Sequence, residues 1–378
     1  MPETILVINT GSSSLKLGLY QPAGDDMQLL FEGLADSIGH DSSKLEIKDA
    51  AGKVLHADTT PLKTQTAALD QATQLLRKLA NITPTAIGHR VVHGGPRLTS
   101  HQRITPELIA ELKNCLHFAP LHIPLALELI AAAERTYPSL PQFACFDTAF
   151  HITIPEVAAR FPIPREFFDE GIHRYGFHGL SYESIVHQLG ASIPSRVVIA
   201  HLGSGASLCA LKDGRSIDTT MGLTPTGGIP MATRSGDLDP GILLYLTRTR
   251  NMDADALEQL LNHDSGLAAI SGGESDMRKL EAAADPNAQL AIDIFCMAIR
   301  KTVAAYAAEL GGLDLLIFSG GIGEHSARVR GHVCDGLAFL GLTAEKVSVM
   351  PSEEDVQIAR HCHTLSIKNK GLHAKFAK

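Results

Sequence analysis

Residues 5–19 read ILVINTGSSSLKLGL and residues 197–211 read VVIAHLGSGASLCAL; the likeness of these two stretches decides the fold. Each is an apolar run, a polar residue, a Gly/Ser turn and a second run of apolar and small residues. Asn9 aligns with His201, Gly11 with Gly203, Ser12 with Ser204 and Leu15 with Ser207, about half a chain apart. A strand–turn–strand tipped with Gly and Ser exposes backbone N–H groups at low steric cost, and such a tip cradles phosphate. One such hairpin reads as an ordinary connection, because Gly/Ser turns are common. A pair, one in each half, predicts two similar domains addressing one nucleotide.

A chain of 378 residues suffices for two or three domains with real cores. Its 33 Lys and Arg against 41 Asp and Glu give a formal net charge of −8, which argues against a nucleic-acid or polyanion surface. No stretch approaches a transmembrane span. MPETILVINT opens almost at once on an apolar strand, leaving no room for a signal peptide, so no membrane partner and a cytoplasmic location are expected. The six cysteines form no CxxC pair and most sit among apolar residues, as buried thiols do in a reducing compartment. None of the 18 histidines belongs to an HExxH motif, and no structural zinc is expected.

Strand-like and helical runs alternate, the mark of an α/β protein. LEIKDAAGKVLHAD (45–58) reads as a hairpin and 64–80 as a helix. TAIGHRVVHGG and QFACFDTAFH read as buried strands leaving into polar loops. Helices are expected over 105–117, over 124–136 starting after Pro124, and over 181–189. The Pro-spaced stretch 155–170 reads as a crossing segment between halves. TTMGLTPTGGIPMATRSGDLDPG is a long polar loop, and a connection of that length is usually functional. Helices over 240–250, 253–262 and 287–310 follow. SEEDVQIARHC near the end reads as a short helix with Ser352 as its N-cap.

FSGGIGEHS repeats the strand–glycine–helix logic, and Gly320, Gly321 and Gly323 would let a base or ribose lie on the backbone. Alone it reads equally well as a tight connection. SDMR (275–278) offers Asp276 and Arg278, which by themselves read as a helix N-cap and a solvated arginine. Arg90 at a strand end and Arg234 in the long loop could each clamp a carboxylate or phosphate; the usual fate of an arginine is a surface ion pair. Asp147 follows a buried strand, a common place for a metal-associated acid in α/β folds. His178 among aromatics and glycines, and His122 in APLHIP, would singly read as hydrogen-bonded structural residues.

Taken together, NTGSSSLK, GHRVVHGG, APLHIP, FDTAFH, RYGFHGLSY, HLGSGAS, TRSGDLDPG, SGGESDMR, SGGIGEH and SEEDVQIA resemble the acetate kinase family in order and spacing, across essentially the whole chain. That family belongs to the sugar kinase, actin and 70-kDa chaperone superfamily, which accounts for the internal repeat. The resemblance implies a duplicated two-domain, actin-like ATPase (ribonuclease H-like) α/β fold with the active site in the cleft. Its domains would be 1–150 with 354–378, and 151–353, with a homodimer formed through the second. It implies reversible phosphoryl transfer between ATP and acetate, giving acetyl phosphate and ADP.

The resemblance also implies residue roles. Asn9 and Glu353 would support Mg²⁺, or Mn²⁺ in its place, partly through water. Ser12 and Lys16 would hold phosphates from the first hairpin, and His201, Leu202, Gly203, Ser204 and Gly205 from the second. Asp276, Met277 and Arg278 with Gly321, Ile322, Gly323, Glu324 and His325 would hold the adenosine end. Arg90, Val92 and His122 would bind the carboxylate substrate, and Asp147, His178 and Arg234 would surround the transferring phosphoryl group. Acetate is already ionised at neutral pH, so the obstacle is bringing one anion to another, roughly 4 kcal/mol for unit charges at ~4 Å and an effective dielectric of 20. Arginines, Mg²⁺ and a donating His178 would offset it, with Asp147 orienting rather than accepting a proton, and closure of the halves would exclude water.

Against the family's commoner pattern, Ser204 stands for Asn, Ile123 for Asn, Leu180 for Thr, Gly227 for Glu, Pro230 for Met and Ala232 for Gly, and Gly273-Glu274 alter the turn before SDMR. These changes leave the charged residues intact and bear on acyl-chain length, so propionate or butyrate is the alternative acceptor; one methylene is worth only ~1–3 kcal/mol. In a chaperone- or actin-like ATPase switch Arg90 and Arg234 would be superfluous, and Asn9, Arg90, Asp147, His178 and Arg234 together argue against a non-catalytic nucleotide sensor.

Overall fold

Both quoted stretches fold as antiparallel hairpins in the computed structural model, which describes residues 3–11, 13–24 and 26–376. Ser12 lies outside the described residues. The chain divides into two units, Met1–Ala149 with Glu353–Lys378, and Phe150–Ser352.

The first unit carries β1 (Ile5–Thr10), β2 (Leu15–Ala23), β3 (Asp26–Asp36), β4 (Lys44–Asp49), β5 (Val54–Thr59), β6 (Ala86–Val91), β7 (Gln102–Arg103) and β8 (Gln142–Phe146). They form one sheet in the order β5-β4-β3-β2-β1-β6-β8-β7. The second carries β9 (Arg196–Leu202), β10 (Ala206–Lys212), β11 (Arg215–Thr219), β12 (Leu315–Ser319) and β13 (Val347–Val349), in the order β11-β10-β9-β12-β13. The two sheets share a core plan. In each, a three-strand antiparallel meander (β1–β3, β9–β11) is extended on its first strand by two parallel strands (β6 and β8, β12 and β13). The interior strands ILVINT, AIGHRV, RVVIAHL and LLIFS are buried on both faces almost throughout, which is why they read as mainly apolar runs without alternation.

The pairing corrects the alignment of the hairpins at one point. Asn9 faces Lys16 and His201 faces Ser207. The first tip has one residue more than the second, so beyond the turn Ser207 matches Lys16 and not Leu15.

Helices cover the sheets. Thr64 caps Gln65–Ala80 by accepting the Ala67 N–H, and Asn81 ends it in the left-handed region, as capping chemistry favours. Ile123–Thr136 begins one residue before Pro124, because proline is tolerated in a first turn. Stretch 155–170 contains two short helices, Glu156–Ala159 and Arg165–Asp169. The 25-residue helix Pro286–Leu310 buries Ile292, Phe295, Ile299 and Val303. The last helix is longer than expected, Glu354–Phe376. Its first carbonyl acceptor is Glu353, bonded by the Gln357 N–H at 3.1 Å, so Ser352 is not the N-cap.

Two histidines in GHRVVHGG are structural. His89 Nε2 lies 2.6 Å from Gln142 Oε1, and His93 Nδ1 accepts the Gly95 N–H at 2.8 Å while the ring stacks on Phe118.

Candidate active site

In the first unit the candidate residues sit where parallel strands end. Asn9 and Arg90 each lie one residue from the end of their strands, β1 and β6, and Asp147 follows β8. Open α/β sheets carry their ligand groups at that edge. Asp147, only 1% exposed, takes Arg90 along one side: Nε donates to Oδ1 and Oδ2 at 3.0 Å each, and Nη2 donates to Oδ2 at 2.6 Å. Arg90 Nη1 donates to Asn9 Oδ1 at 3.3 Å. Two of the five guanidinium N–H groups then remain for an anion.

Asn9 Nδ2 in turn donates to Asp355 Oδ1 at 2.6 Å and to Glu354 Oε2 at 3.4 Å. Burial works against the Arg90 charge, but Asp147, Glu354 and Asp355 outweigh it and hold its pKa above the ordinary value. Burial pushes the Asp147 carboxyl up, with Arg90 pulling against that rise and Glu354 adding to it. Asp355 is also pushed up, by burial first; its bond from Asn9 and the charge of Lys16 oppose the rise, while Glu354 adds to it.

The other expected residues of this unit are placed as follows. Lys16 is exposed on β2 opposite Asn9. Val92, half-buried, follows β6, and His122, half-buried, immediately precedes the helix Ile123–Thr136; the hydrogen bonds that hold Arg90 come from Asp147 and Asn9. Glu353 adopts φ 40° just before the last helix, and the acids that meet Asn9 are its neighbours Glu354 and Asp355. Sequence reasoning missed those two, since an acidic run opening a helix has an ordinary electrostatic explanation.

The second unit gathers a different set around the tip between β9 and β10. Gly203 N–H is taken by the Gly205 carbonyl at 3.0 Å, whereas no described residue takes the N–H of Ser204 or Gly205. A β-carbon on Gly205 would lie 3.3 Å from His178 Nε2 and 3.5 Å from Arg234 Nη1, so both side chains converge on that bare backbone. His178 stands at φ 58° directly before the helix Gly179–Leu189. Its ring stacks on that of His201 with centroids 4.3 Å apart. Each ring is tied through Nδ1 to a serine hydroxyl at 2.8 Å, Ser207 for His178 and Ser181 for His201.

The turn before His178 is built on His151, a residue the sequence reading quoted in FDTAFH without assigning it a role. Its Nε2 lies 3.0 Å from the Phe177 carbonyl and its Nδ1 2.9 Å from Ser216 Oγ. Gly176, at φ 75°, lets the backbone cross that ring: a β-carbon would sit 2.5 Å from His151 Cδ2. Arg234 Nη1 donates to the Pro225 carbonyl at 3.1 Å, and its loop is fastened to the tip by Ala232 N–H to Ser204 O, also 3.1 Å.

Beside the tip lies a cavity of about 420 Å³ lined by Gly203, Ser204, Asp276, Met277, Arg278, Gly321, Ile322 and His325 among others. Three separate stretches of sequence therefore meet in one space. Asp276 caps the helix Met277–Ala282 and forks to Arg278 at 3.1 and 2.6 Å; the Arg278 hydrogen bond comes first among the causes that draw its carboxyl down to about 2. Ser275, Glu281 and Ser326 also line the cavity; Ser275 and Ser326 belong to quoted motifs, and Glu281 lies three residues beyond SDMR. Leu202, Gly323 and Glu324 lie off its wall: Leu202 is core, Gly323 packs on Phe318 and Ala200, and Glu324 accepts the Gly320 N–H.

Comparison with known proteins identifies the family and the fold. The model of the Acetokinase family matches residues 4–364. An acetate kinase of Rhodopseudomonas palustris is 42% identical, the match covering 97% of this chain and 99% of that protein. The crystal structure of a propionate kinase from Francisella tularensis superposes with a TM-score of 0.89 at 35% identity, covering 96% of this chain and all of that one. That of Porphyromonas gingivalis acetate kinase gives 0.84 at 33%, covering 96% and 99%. The fold is thus the actin-like ATPase fold of these kinases, and the chain belongs to the acetokinase family.

Proposed function

We propose that this chain transfers the γ-phosphoryl group of ATP to acetate, reversibly, giving acetyl phosphate and ADP. The observation that supports it most is the Arg90–Asp147 fork. A guanidinium fixed along one side by a buried carboxylate still offers N–H groups to a second, mobile carboxylate, and that is the shape of acetate. Val92 and His122 would flank its methyl group. Acetate attacks as the anion it already is, so the chain need not remove a proton from it. Asp147 orients Arg90 in this reading and accepts none.

The second unit would supply the phosphate side. The cavity takes the adenosine, with Asp276, Arg278 and the backbone of Gly321 and Ile322 against it. The tip N–H groups, with Lys16 and Ser12 of the first hairpin, take phosphate oxygens. His178 and Arg234 donate to the group in transfer, where charge builds in the transition state. The two sets serve one reaction only when they act on one phosphoryl group.

A hard dication fits the donor set near Asn9. Half-buried Asp355 beside Glu354, whose charge opposes its own, is the oxygen-rich environment Mg²⁺ favours. Asn9, Glu354 and Asp355, with Glu353 from the resemblance, would hold it. When bound, Mg²⁺ neutralises phosphate oxygens.

We also propose a homodimer through the second unit. None of the residues of the helix Pro240–Arg250 is buried, although it carries Ile242, Leu244 and Tyr245 at 42%, 56% and 60% exposure. Five of the six cysteines are buried and all are free thiols, which suits a reducing cytoplasm. No described helix is long and apolar enough to cross a membrane.

The test is hydroxylamine trapping of acyl phosphate from Mg-ATP with acetate, propionate or butyrate in parallel, with Arg90→Ala as control. Arg90-dependent product, highest with acetate, is expected. The propionate kinase likeness makes propionate the second reading, and a higher kcat/KM for it would establish that one. ATP binding with no product from any acid would refute both.

A further inference from the structure

Three hydroxyl- and imidazole-bearing residues form a buried chain behind the proposed phosphoryl donor. His178 Nδ1 lies 2.8 Å from Ser207 Oγ, and Ser207 Oγ lies 2.5 Å from the Tyr182 hydroxyl. Ser207 and Tyr182 are fully buried and His178 is 9% exposed. Tyr182 stands four residues beyond His178, its N–H bonded to the His178 carbonyl at 3.1 Å, and both side chains reach the same serine hydroxyl. The rings of Phe150 and His151 pack beside Tyr182, with centroids 6.0 and 5.6 Å away, and fix the phenol. The stacked neighbour His201 is tied to a serine as well, Ser181.

A serine hydroxyl has one proton and two lone pairs, and where Ser207 donates within the chain it runs in one of two directions. In one, Tyr182 donates to Ser207, Ser207 donates to His178 Nδ1, and the neutral ring carries its proton on Nε2. In the other, His178 Nδ1–H donates to Ser207, Ser207 donates to Tyr182, and Nε2 presents a lone pair. Nε2 is the ring nitrogen beside Gly205 and Arg234. An anionic phosphoryl oxygen there needs a proton and is repelled by a lone pair. The phenol, far more acidic than an alkyl hydroxyl, is the better donor and favours the first direction.

We infer that Tyr182 and Ser207 are positioning residues that hold the proton of His178 on Nε2, aimed at the transferring phosphoryl group. This rests on the reading of His178 as a donor. It requires no second ionisation beside Arg234, because a neutral imidazole of the right tautomer already donates.

The experiment uses the full chain labelled with ¹⁵N-histidine. Long-range ¹H–¹⁵N correlation spectra report the tautomer of each ring, with the His178 signals identified by their loss in His178→Gln. Steady-state kinetics with acetate and Mg-ATP accompany the spectra. The parent should show His178 protonated on Nε2. Ser207→Ala should give a mixture of tautomers, with kcat lowered on the order of tenfold, the factor one hydrogen bond sets, and KM for both substrates little changed. Tyr182→Phe, which removes one hydroxyl and keeps the ring, should shift the tautomer the same way with a smaller loss, and it carries the test should Ser207→Ala fold poorly. A parent His178 protonated on Nδ1, or an unchanged tautomer in the variants, would overturn the inference. Full activity in His178→Gln would instead overturn the donor role of His178, while the spectra still decide what the pair does.

Discussion

At the scale of the residue, the Arg90–Asp147 pair gives the sharpest expectation. Removing one partner of a buried ion pair leaves the other uncompensated, at a cost of about 3–5 kcal/mol. Asp147→Asn should therefore lower kcat/KM for acetate by on the order of 10²-fold, chiefly through KM, and leave KM for ATP nearly unchanged. A loss confined to kcat would mark Asp147 as a proton acceptor. Arg90 and Asp147 were legible in the sequence because each adjoins an apolar strand whose end can be read. Glu354 and Asp355 were not. Asp355 reaches Asn9 across 346 positions, and nothing in the local run SEED distinguishes a ligand from a helix opening. His151 was quoted for its motif alone; only the fold lays it under the turn that carries His178.

At the scale of the element, buried histidines link strands and turns to pH. Burial lowers the pKa of His89 and of His151 to about 4 each, against bonds to Gln142 and to the Phe177 carbonyl that pull upward. Both are neutral in the fold, whereas an unfolded histidine takes a proton near pH 6.5. Their stabilisation is complete above that pH and is lost as pH falls from about 6.5 towards 4, roughly 3 kcal/mol for each group as an upper bound. Urea titrations across that window should show a flatter decline for His89→Gln or His151→Gln than for the parent; parallel declines would show that these rings do not contribute. Elements with a single strong signal were readable, the two hairpin tips and the capped helices above all. The strand DMQLLFEGLAD of β3 went unread because its alternation is interrupted by Leu29-Leu30-Phe31, where its register with β2 also shifts between Leu19 and Tyr20. The length of the last helix was hidden by the polar residues that follow SEEDVQIARHC.

At the scale of the whole molecule, the exposed apolar residues of Pro240–Arg250 predict association. Leu244→Asp with Tyr245→Asp should halve the solution mass measured by light scattering and leave far-ultraviolet circular dichroism unchanged; an unchanged mass would exclude this helix from the interface. The duplicated core plan also explains why a repeat of fifteen residues could announce the fold while its matched positions differ in chemistry. Asn9 and Lys16 occupy the same register position in their hairpin as His201 and Ser207 in theirs. One copy of that address is an amide and a cation next to carboxylates; the other is an imidazole and a hydroxyl next to histidine and arginine. The matched address therefore differs in charge and in hydrogen-bonding character between the two hairpins. One shared backbone plan thus carries two different chemistries at the same address, within sheets that otherwise differ in size, eight strands against five.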